Sequence, residues 1–234
     1  MTAASRLEPA AAAGKRAVRL VEFNLHLARY AHRSWYESLA VDEKWLRAVF
    51  DADGRVLGRV EPQLSALLLQ EAGLGAAMDW DMAEPQKRLW LLDSSSLGRL
   101  MLELALVMHR EWLVRIIDSA RLRTLSVVVG GEAVKFVIEE VPEGCFHYQT
   151  PHVDFDGDLS PAIGAELRSQ GARTLFALLE PAWRAVRGRA PFFLDRAVKL
   201  EQTPPLEPAL AQRALDLILE RLIPRRFPQW AWCF

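Results

Sequence analysis

The sequence predicts an all-α protein, and three observations lead to that fold class. Apolar residues recur at three- and four-residue steps through most of the 234-residue chain, which is the spacing of one helix face. Prolines and glycines separate these segments where helices begin and end. Only one run, residues 125–129, is rich in β-branched residues. We therefore expect a single compact, irregular multi-helix domain around one central helix.

The composition is that of an ordinary globular protein, with 51% apolar and 25% charged residues. A net charge of −1 excludes a general electrostatic attraction to nucleic acid or to anionic membranes. Cys145 and Cys233 lie far apart in the sequence and make neither a disulfide framework nor a four-cysteine zinc site. No apolar segment is long enough for a signal peptide or for direct membrane insertion. We expect a cytoplasmic protein.

The N-terminal part is predicted to begin with a loose leader and to continue as short helices. Residues 1–14 are alanine-rich and contain few large apolar side chains, which is typical of a loose terminus. A helix follows from Lys15. Three aromatic residues within 30–36 predict a packed corner, because such rings can be buried while their polar tips are satisfied. Asp42 and Pro62 mark the starts of two further helices.

The central helix is predicted over residues 93–121. Asp93 and the three serines after it are typical N-cap residues. One apolar stripe on the surface of this helix includes Leu104. After the polar triplet 109–111 the apolar residues lie on a different face and form a second stripe, which includes Ile116. A helix whose stripe moves round contacts neighbours on several sides, so both Leu104 and Ile116 are expected in the core. The alternative is a kink, or two helices that meet at the triplet.

The rest of the chain is predicted to be three helical segments and one long loop. The β-branched run 125–129 is interpreted as the end of a helix, followed by a break at two glycines and a new helix. Residues 143–159 have no helical period and form the loop. A helix restarts after it, and the clearest amphipathic helix covers 207–223. Pro224 is expected to end that helix.

One cluster of metal-ligand residue types lies in this loop, and several interpretations of it remain open. As a calcium loop, it has its glycine one place too early and no glutamate at the twelfth position. As an iron site, His152 and Asp154 lack a downstream histidine. As a nucleophile with its base, Cys145 and His147 lack an orienting group. The remaining interpretation is an acidic surface loop, and we expect no metal and no cofactor.

Two other polar groups are weak candidates for chemistry. The triplet 109–111 cannot converge on one substrate, because adjacent helical residues point about 100° apart. Arg184, Arg187 and Arg189 form a small basic patch, which we interpret as a solvated face because no DNA-binding motif or aromatic platform accompanies it. The nucleotide-binding, zincin and nucleophile-elbow motifs are missing from the sequence. The triplet and the basic patch therefore carry no signature of catalysis.

The C-terminal tail is unusually aromatic, with four aromatic residues among its last eight. Each such ring can bury about 150–250 Å², so the tail either docks on the chain's own body or fills a partner's groove. In an extended tail, alternate aromatic residues share one side. Docking against the 207–223 helix is the favoured interpretation. The candidate partner-binding residues are Phe227, Trp230, Trp232 and Phe234.

Three motifs spread over most of the chain carry a resemblance to a known family. They are Phe23-Asn24 with Tyr30-Ala31-His32-x-Ser34-Trp35, then His109-Arg110-Glu111-Trp112-Leu113, and finally Pro228-Gln229-Trp230-Ala231-Trp232. Together they resemble the SctK family, the cytosolic sorting-platform proteins of bacterial type III secretion injectisomes. The chain has Arg33 where the family pattern has proline, and residues 145–158 have no counterpart in that pattern.

The resemblance implies a non-enzymatic adapter without a cofactor. Members of the family are similar to a peg that connects the cytoplasmic domain of the inner-membrane ring protein SctD to the pods that contain SctQ. Those pods also carry the SctL stator and the ATPase. The implied location is the cytoplasmic face of the injectisome. The alternatives are a metal-dependent enzyme that uses His147, His152 and Asp154, and a helical regulator that binds an amphipathic peptide.

Overall fold

A computed structural model confirms the all-α prediction. It describes residues 4–37, 39, 42–75, 77–116, 119–144, 146, 161–200 and 203–234. Regular secondary structure in these residues is helical, and a single antiparallel bridge pairs Phe50 with Val56. Among the helices that the structure describes, none combines the length and the apolar composition that a membrane crossing requires.

The α-helices vary widely in length. In chain order they are α1 (Ala4–Leu25), α2 (Arg33–Glu37), α3 (Glu43–Val49), α4 (Glu61–Glu71), α5 (Pro85–Arg88), α6 (Ser94–Met108), α7 (Arg110–Arg115), α8 (Ser119–Val129), α9 (Gly131–Glu139), α10 (Pro161–Ala177), α11 (Arg184–Arg189), α12 (Pro208–Leu217) and α13 (Ile223–Arg226). Short 3-10 segments cover Leu27–Arg29, Leu89–Leu91, Ala190–Phe193 and Pro228–Cys233, and a π-helical turn covers Ile218–Leu222.

The chain divides into two compact units. Unit 1 contains Met1–Ser94, Leu179–Gln202 and Trp232–Phe234, and unit 2 contains Ser95–Leu178 and Thr203–Ala231. The expectation of one domain over residues 15–234 stays a prediction.

Helix α1 begins earlier than the sequence predicts. A loose leader was expected over residues 1–14, yet the helix begins at Ala4. The reason is the alanine content itself, because alanine has the highest helix propensity of any residue. The same alanine-rich composition that suggested a loose terminus therefore favours a regular helix. Within residues 11–25 of α1, Phe23 is the first large side chain that is buried.

The predicted aromatic corner lies in the core of unit 1. Phe23, Tyr30 and Phe193 stack on one another, with ring centroids 4.4 to 6.4 Å apart. The Tyr30 hydroxyl donates to the Phe23 carbonyl at 2.6 Å, and the Tyr36 hydroxyl donates to the Ala28 carbonyl at 2.5 Å. Because each hydroxyl has an acceptor, the rings pack without leaving a buried donor unpaired.

A buried carboxylate joins α4 to the segment after α1. Glu61 is almost fully buried, and its oxygens lie 2.9 Å from His26 Nδ1 and 2.7 Å from the Ser65 hydroxyl that donates to them. Ser65 Oγ in turn accepts the Ala28 backbone N–H at 3.0 Å. Arg29 Nε lies 3.5 Å from the same carboxylate. Such partners offset the cost of removing a carboxylate from water.

Helix α6 is the buried centre of unit 2. Burial extends right round the helix from Leu100 to Met108, so the expectation that this segment contacts neighbours on several sides is confirmed within α6. Leu104 is among its fully buried side chains.

The helix does not continue to residue 121. The backbone of His109 leaves helical geometry (φ −102°, ψ 15°), and α7 ends at Arg115, after which Ile116 is extended (φ −67°, ψ 104°). The chain thus follows the alternative of two helices that meet at the polar triplet. The prediction that Ile116 lies in the core is wrong, because Ile116 is only half-buried. The second stripe is rotated because the helix is interrupted at His109, and Ile116 itself lies after the end of α7.

The interpretation of residues 125–129 as helical is confirmed. They form the last turns of α8, and Gly130 separates α8 from α9 with φ 95°. A side chain is strained in this left-handed region, which explains a glycine at the break. The pattern of helical spacing on both sides of the glycines outweighs the β propensity of three consecutive valines.

The amphipathic segment 207–223 is helical as predicted, but Pro224 does not end it. Ala214, Leu217, Ile218 and Leu222 are buried, whereas Gln212, Asp216 and Glu220 are exposed. The helix passes through the π-helical turn into α13, where Pro224 occupies one of the first two positions. Proline has no N–H to donate, and the π-helical turn just before it interrupts the regular α-helical hydrogen-bond ladder where that donor would be needed. Helical structure therefore extends to Arg226.

Candidate functional site

The candidate metal-ligand residues of the 143–159 loop lie outside the described residues. Cys145, His147, His152 and Asp154 all belong to that part of the chain. Among the residues that the structure describes, no group of three or more histidine, cysteine, aspartate or glutamate side chains is arranged to hold a metal ion. The interpretations of this loop, including the expected absence of a metal, stay predictions.

The side chains of the triplet 109–111 point to different partners. His109 Nε2 lies 2.7 Å from Oε1 of the buried Gln170 on α10, within unit 2. Arg110 Nη2 donates to the Ile138 carbonyl at 3.4 Å, and Glu111 is exposed. The residues diverge, as the helical geometry predicts, and we assign them a role in packing α7 against its neighbours.

The three arginines of α11 do not form one solvated face, so that prediction is wrong. Arg184 is exposed, Arg187 is half-buried and Arg189 is fully buried. The Arg189 guanidinium donates to backbone carbonyls of unit 1, at 2.7 Å to Ala77 and 3.0 Å to Ala185. Burial lowers the pKa of Arg189 below its ordinary value.

The first part of the aromatic tail is buried in unit 2. Phe227 and Trp230 are both buried. The indole N–H of Trp230 donates to Ser96 Oγ at 2.9 Å, and the Arg99 guanidinium lies 5.1 Å from the centre of the Phe227 ring. Ser96 and Arg99 are on α6, whereas docking on the 207–223 helix was expected. The hydrogen bond satisfies the polar atom of a buried indole.

An ion pair that the sequence does not reveal supports this part of the tail. Glu103 on α6 is buried, and its two carboxylate oxygens accept Arg226 Nε and Nη2, each at 3.1 Å. Two parallel hydrogen bonds are the strong form of an arginine–carboxylate pair. The Arg226 guanidinium also lies 5.5 Å from the centre of the Phe136 ring. Nothing in the spacing of Glu103 and Arg226 along the chain predicts their contact.

The last residues of the tail belong to unit 1. Cys233 is buried, and Arg88 Nη1 donates to the carbonyls of Cys233 and Phe234 at 3.5 and 3.4 Å. Trp232 is half-buried, with the Lys15 ammonium 5.9 Å from the centre of its ring.

The tail is helical and not extended, which corrects the expected arrangement of its rings. Pro228–Cys233 is a 3-10 helix, in which side chains three residues apart are aligned. The buried residues are accordingly Phe227, Trp230 and Cys233, while Trp232 and Phe234 are half-buried. Partner binding by the four aromatic residues stays a prediction.

Unit 1 exposes apolar side chains along one face of α1. Val18, Val21 and Leu25 follow one another at three- and four-residue steps and are 60%, 40% and 40% exposed. The Asn24 side chain makes two hydrogen bonds with the backbone of Asp79, at 2.8 and 3.0 Å. These bonds hold the segment around Asp79 against α1. Met78 and Trp80 in that segment are also exposed. Clustered exposed apolar side chains are typical of an interaction surface.

Unit 2 has an exposed apolar side chain of its own on α8. Val127 is 86% exposed, although it lies within a valine-rich turn whose neighbour Val129 is buried. The Val127 side chain contributes no hydrophobic free energy to folding, because it stays in water.

Burial of Cys233 predicts that stability declines at alkaline pH. Burial raises the pKa of its thiol from 9.0 to about 11. The neutral thiol is the form that folding favours, so its contribution is complete below the unfolded pKa and is lost as pH rises through about 11. Burial also raises the pKa of Tyr30 and Tyr36, which adds to the loss at higher pH. We expect the urea midpoint to fall between about pH 8 and about pH 11.

The matched variant for this prediction is Cys233→Ala, which cannot ionise at that position. Its midpoint at neutral pH is expected to be lower because the sulfur no longer packs, but its further decline toward alkaline pH should be smaller than that of the wild type. An equal decline in both proteins would show that Cys233 does not contribute to the pH dependence.

Comparison with known proteins gives a family match that covers the first two of the three sequence motifs. The sequence matches the family model described as YOP proteins translocation protein K (YscK) over residues 19–223. No curated protein and no solved structure matches the chain. The class that emerges is an all-helical protein of type III secretion. The chain belongs to the YscK family, which is the SctK family that the sequence motifs resemble.

Proposed function

We propose that this protein is a non-enzymatic adapter of the type III secretion sorting platform. In this role it links the cytoplasmic domain of SctD to the pods that contain SctQ, at the cytoplasmic face of the injectisome. Through SctQ it is connected to SctL and the ATPase. The observation that carries the proposal is the family match over residues 19–223.

The distribution of exposed apolar side chains supports an adapter. A protein that joins two partners needs two separate binding surfaces, and each compact unit has exposed apolar side chains of its own. In unit 1 they lie on α1 and include Val18. In unit 2 they include Val127 on α8. Apolar side chains that remain in water are the ones that gain free energy when a partner covers them.

Two single substitutions test the proposal when each partner is examined separately. Val18→Glu and Val127→Glu place a charge on the exposed face of one unit each. We expect the wild type to co-purify with the SctD cytoplasmic domain and with SctQ. Each variant should weaken binding to one of the two by about tenfold or more and leave the other intact. The partner that is not affected serves as the control for folding. A correctly folded wild type that binds neither partner would remove the proposal.

A further inference from the structure

A groove in unit 1 is lined by aromatic and aliphatic side chains and has charged side chains at its edge. Its volume is about 300 Å³. Leu68 and Phe192 form a buried floor, and Trp35 forms a half-buried wall. This volume is at the lower end of the range for small-molecule sites, about 300–1,000 Å³, and fits one or two large side chains better than a cofactor.

The wall of the groove is held in place by the motif near the N-terminus. The indole N–H of Trp35 donates to the Leu194 carbonyl at 3.0 Å, and the ring lies 4.3 Å from that of Phe192. Ser34 Oγ accepts the Arg196 backbone N–H at 2.9 Å. The backbone N–H of His32 donates to the Phe192 carbonyl at 2.6 Å. The motif residues thus hold the segment 192–196, which places Phe192 and Arg196 at the groove, beside Trp35.

Two guanidinium groups and one carboxylate line the groove. The Arg196 guanidinium lies 5.6 Å from the centre of the Trp35 ring, so a cation is placed over an aromatic face. Arg187 Nη1 donates to the Leu179 carbonyl at 2.6 Å, which orients the second guanidinium. Glu71 is the only carboxylate among the lining residues. The groove therefore combines an apolar floor with a net positive edge.

We propose that this groove binds an acidic peptide segment of a partner protein. One large apolar side chain of the segment fills the space above Leu68 and Phe192, and flanking Asp or Glu carboxylates pair with Arg187 and Arg196. An apolar anchor in a pocket supplies most of the affinity, and the charge pairs at its edge supply orientation and selectivity. Arginine is suited to this role because its planar fork matches a carboxylate.

Three labelled peptides test the proposal by fluorescence anisotropy with the full-length protein. The probe is fluorescein-labelled Glu-Glu-Leu-Phe-Glu-Glu. One control, Lys-Lys-Leu-Phe-Lys-Lys, reverses the charges, and the other, Glu-Glu-Ser-Ser-Glu-Glu, removes the anchors. We expect the probe to bind at least about tenfold more tightly than either control, and to bind more weakly as salt is added.

Three exposed positions give the matched protein variants. Arg196→Glu is expected to weaken binding of the probe by about tenfold or more, and Glu71→Lys is expected to tighten it. Arg184→Glu is the control, because this arginine is exposed on α11 but does not line the groove. All three side chains are exposed, and thermal melts will show that the fold is retained.

The opposite effects of Arg196→Glu and Glu71→Lys, with Arg184→Glu unchanged, would establish the groove as the binding site. The proposal is overturned if the probe does not bind, if the three peptides bind equally, or if Arg184→Glu weakens binding as much as Arg196→Glu. The proposal is also overturned if Glu71→Lys fails to tighten binding of the probe. None of these results depends on SctD or SctQ, so they leave the adapter proposal to its own test.

Discussion

Replacing Gly171 by alanine is expected to destabilise the protein strongly, because the added methyl group has no room. Gly171 lies in α10, where the helix touches the backbone of α6 within unit 2. A Cβ atom at this position would lie 1.8 Å from the Met101 carbonyl oxygen and 2.5 Å from its carbonyl carbon. The obstacle is backbone in the middle of a buried helix, which cannot rotate away as a side chain can. We expect a loss of about 3 kcal/mol or more.

Gly164→Ala is the matched control on the same helix. The nearest side-chain atom to a Cβ at that position is Val128 Cγ1, at the ordinary contact distance of 3.5 Å. Alanine has a helix propensity about 1 kcal/mol better than glycine, so this variant is expected to be neutral or slightly stabilised. Chemical denaturation of both variants measures the difference. Similar midpoints for the two would show that α10 does not approach α6 as closely as the structure has it.

Features that depend on local sequence could be predicted. The stripe around Leu104 and the glycine break at Gly130 are examples, because each is determined by residues within a few positions of it. The amphipathic helix over 207–223 belongs to the same group. In each case the local preference and the tertiary environment agree, and the structure follows the pattern.

Features that depend on tertiary partners could not be predicted. The apolar stripe that moves round at residues 109–111 is consistent with one long helix or with two, and the backbone of His109 decides between them. Arg189 resembles a surface arginine in sequence, yet backbone carbonyls from distant segments surround it. Glu103 and Arg226 form an ion pair although they are 123 residues apart in the sequence. Spacing along a chain contains no information about such contacts.

The arrangement of the aromatic tail was partly predictable. Its composition shows that the rings must be covered, and Phe227 and Trp230 are buried. Its backbone conformation decides which rings are covered, and an extended tail and a 3-10 helix give different answers. Proline at position 228 fits either, so the sequence did not distinguish the two.

Substitution of Trp230 by alanine is expected to produce the second large loss of stability. The indole is buried, so its removal leaves a cavity and is expected to cost about 3–5 kcal/mol. Trp230→Phe keeps most of the apolar contact but loses the hydrogen bond to Ser96, for which we expect a loss of about 1–2 kcal/mol. Denaturant unfolding of the two variants separates the packing contribution from that of the hydrogen bond.

Gln229→Ala is the control for Trp230, because Gln229 is exposed in the same 3-10 helix. Its stability is expected to stay within about 0.5 kcal/mol of the wild type. Deletion of residues 229–234 should lower the melting temperature at least as much as Trp230→Ala, since the deletion also removes the buried Cys233. If the deletion left the melting temperature unchanged and abolished binding to SctD or SctQ, the tail would be a partner anchor and not a part of the fold. A lower melting temperature is the expected result, because burial of Phe227 and Trp230 places these rings in the core before any partner arrives.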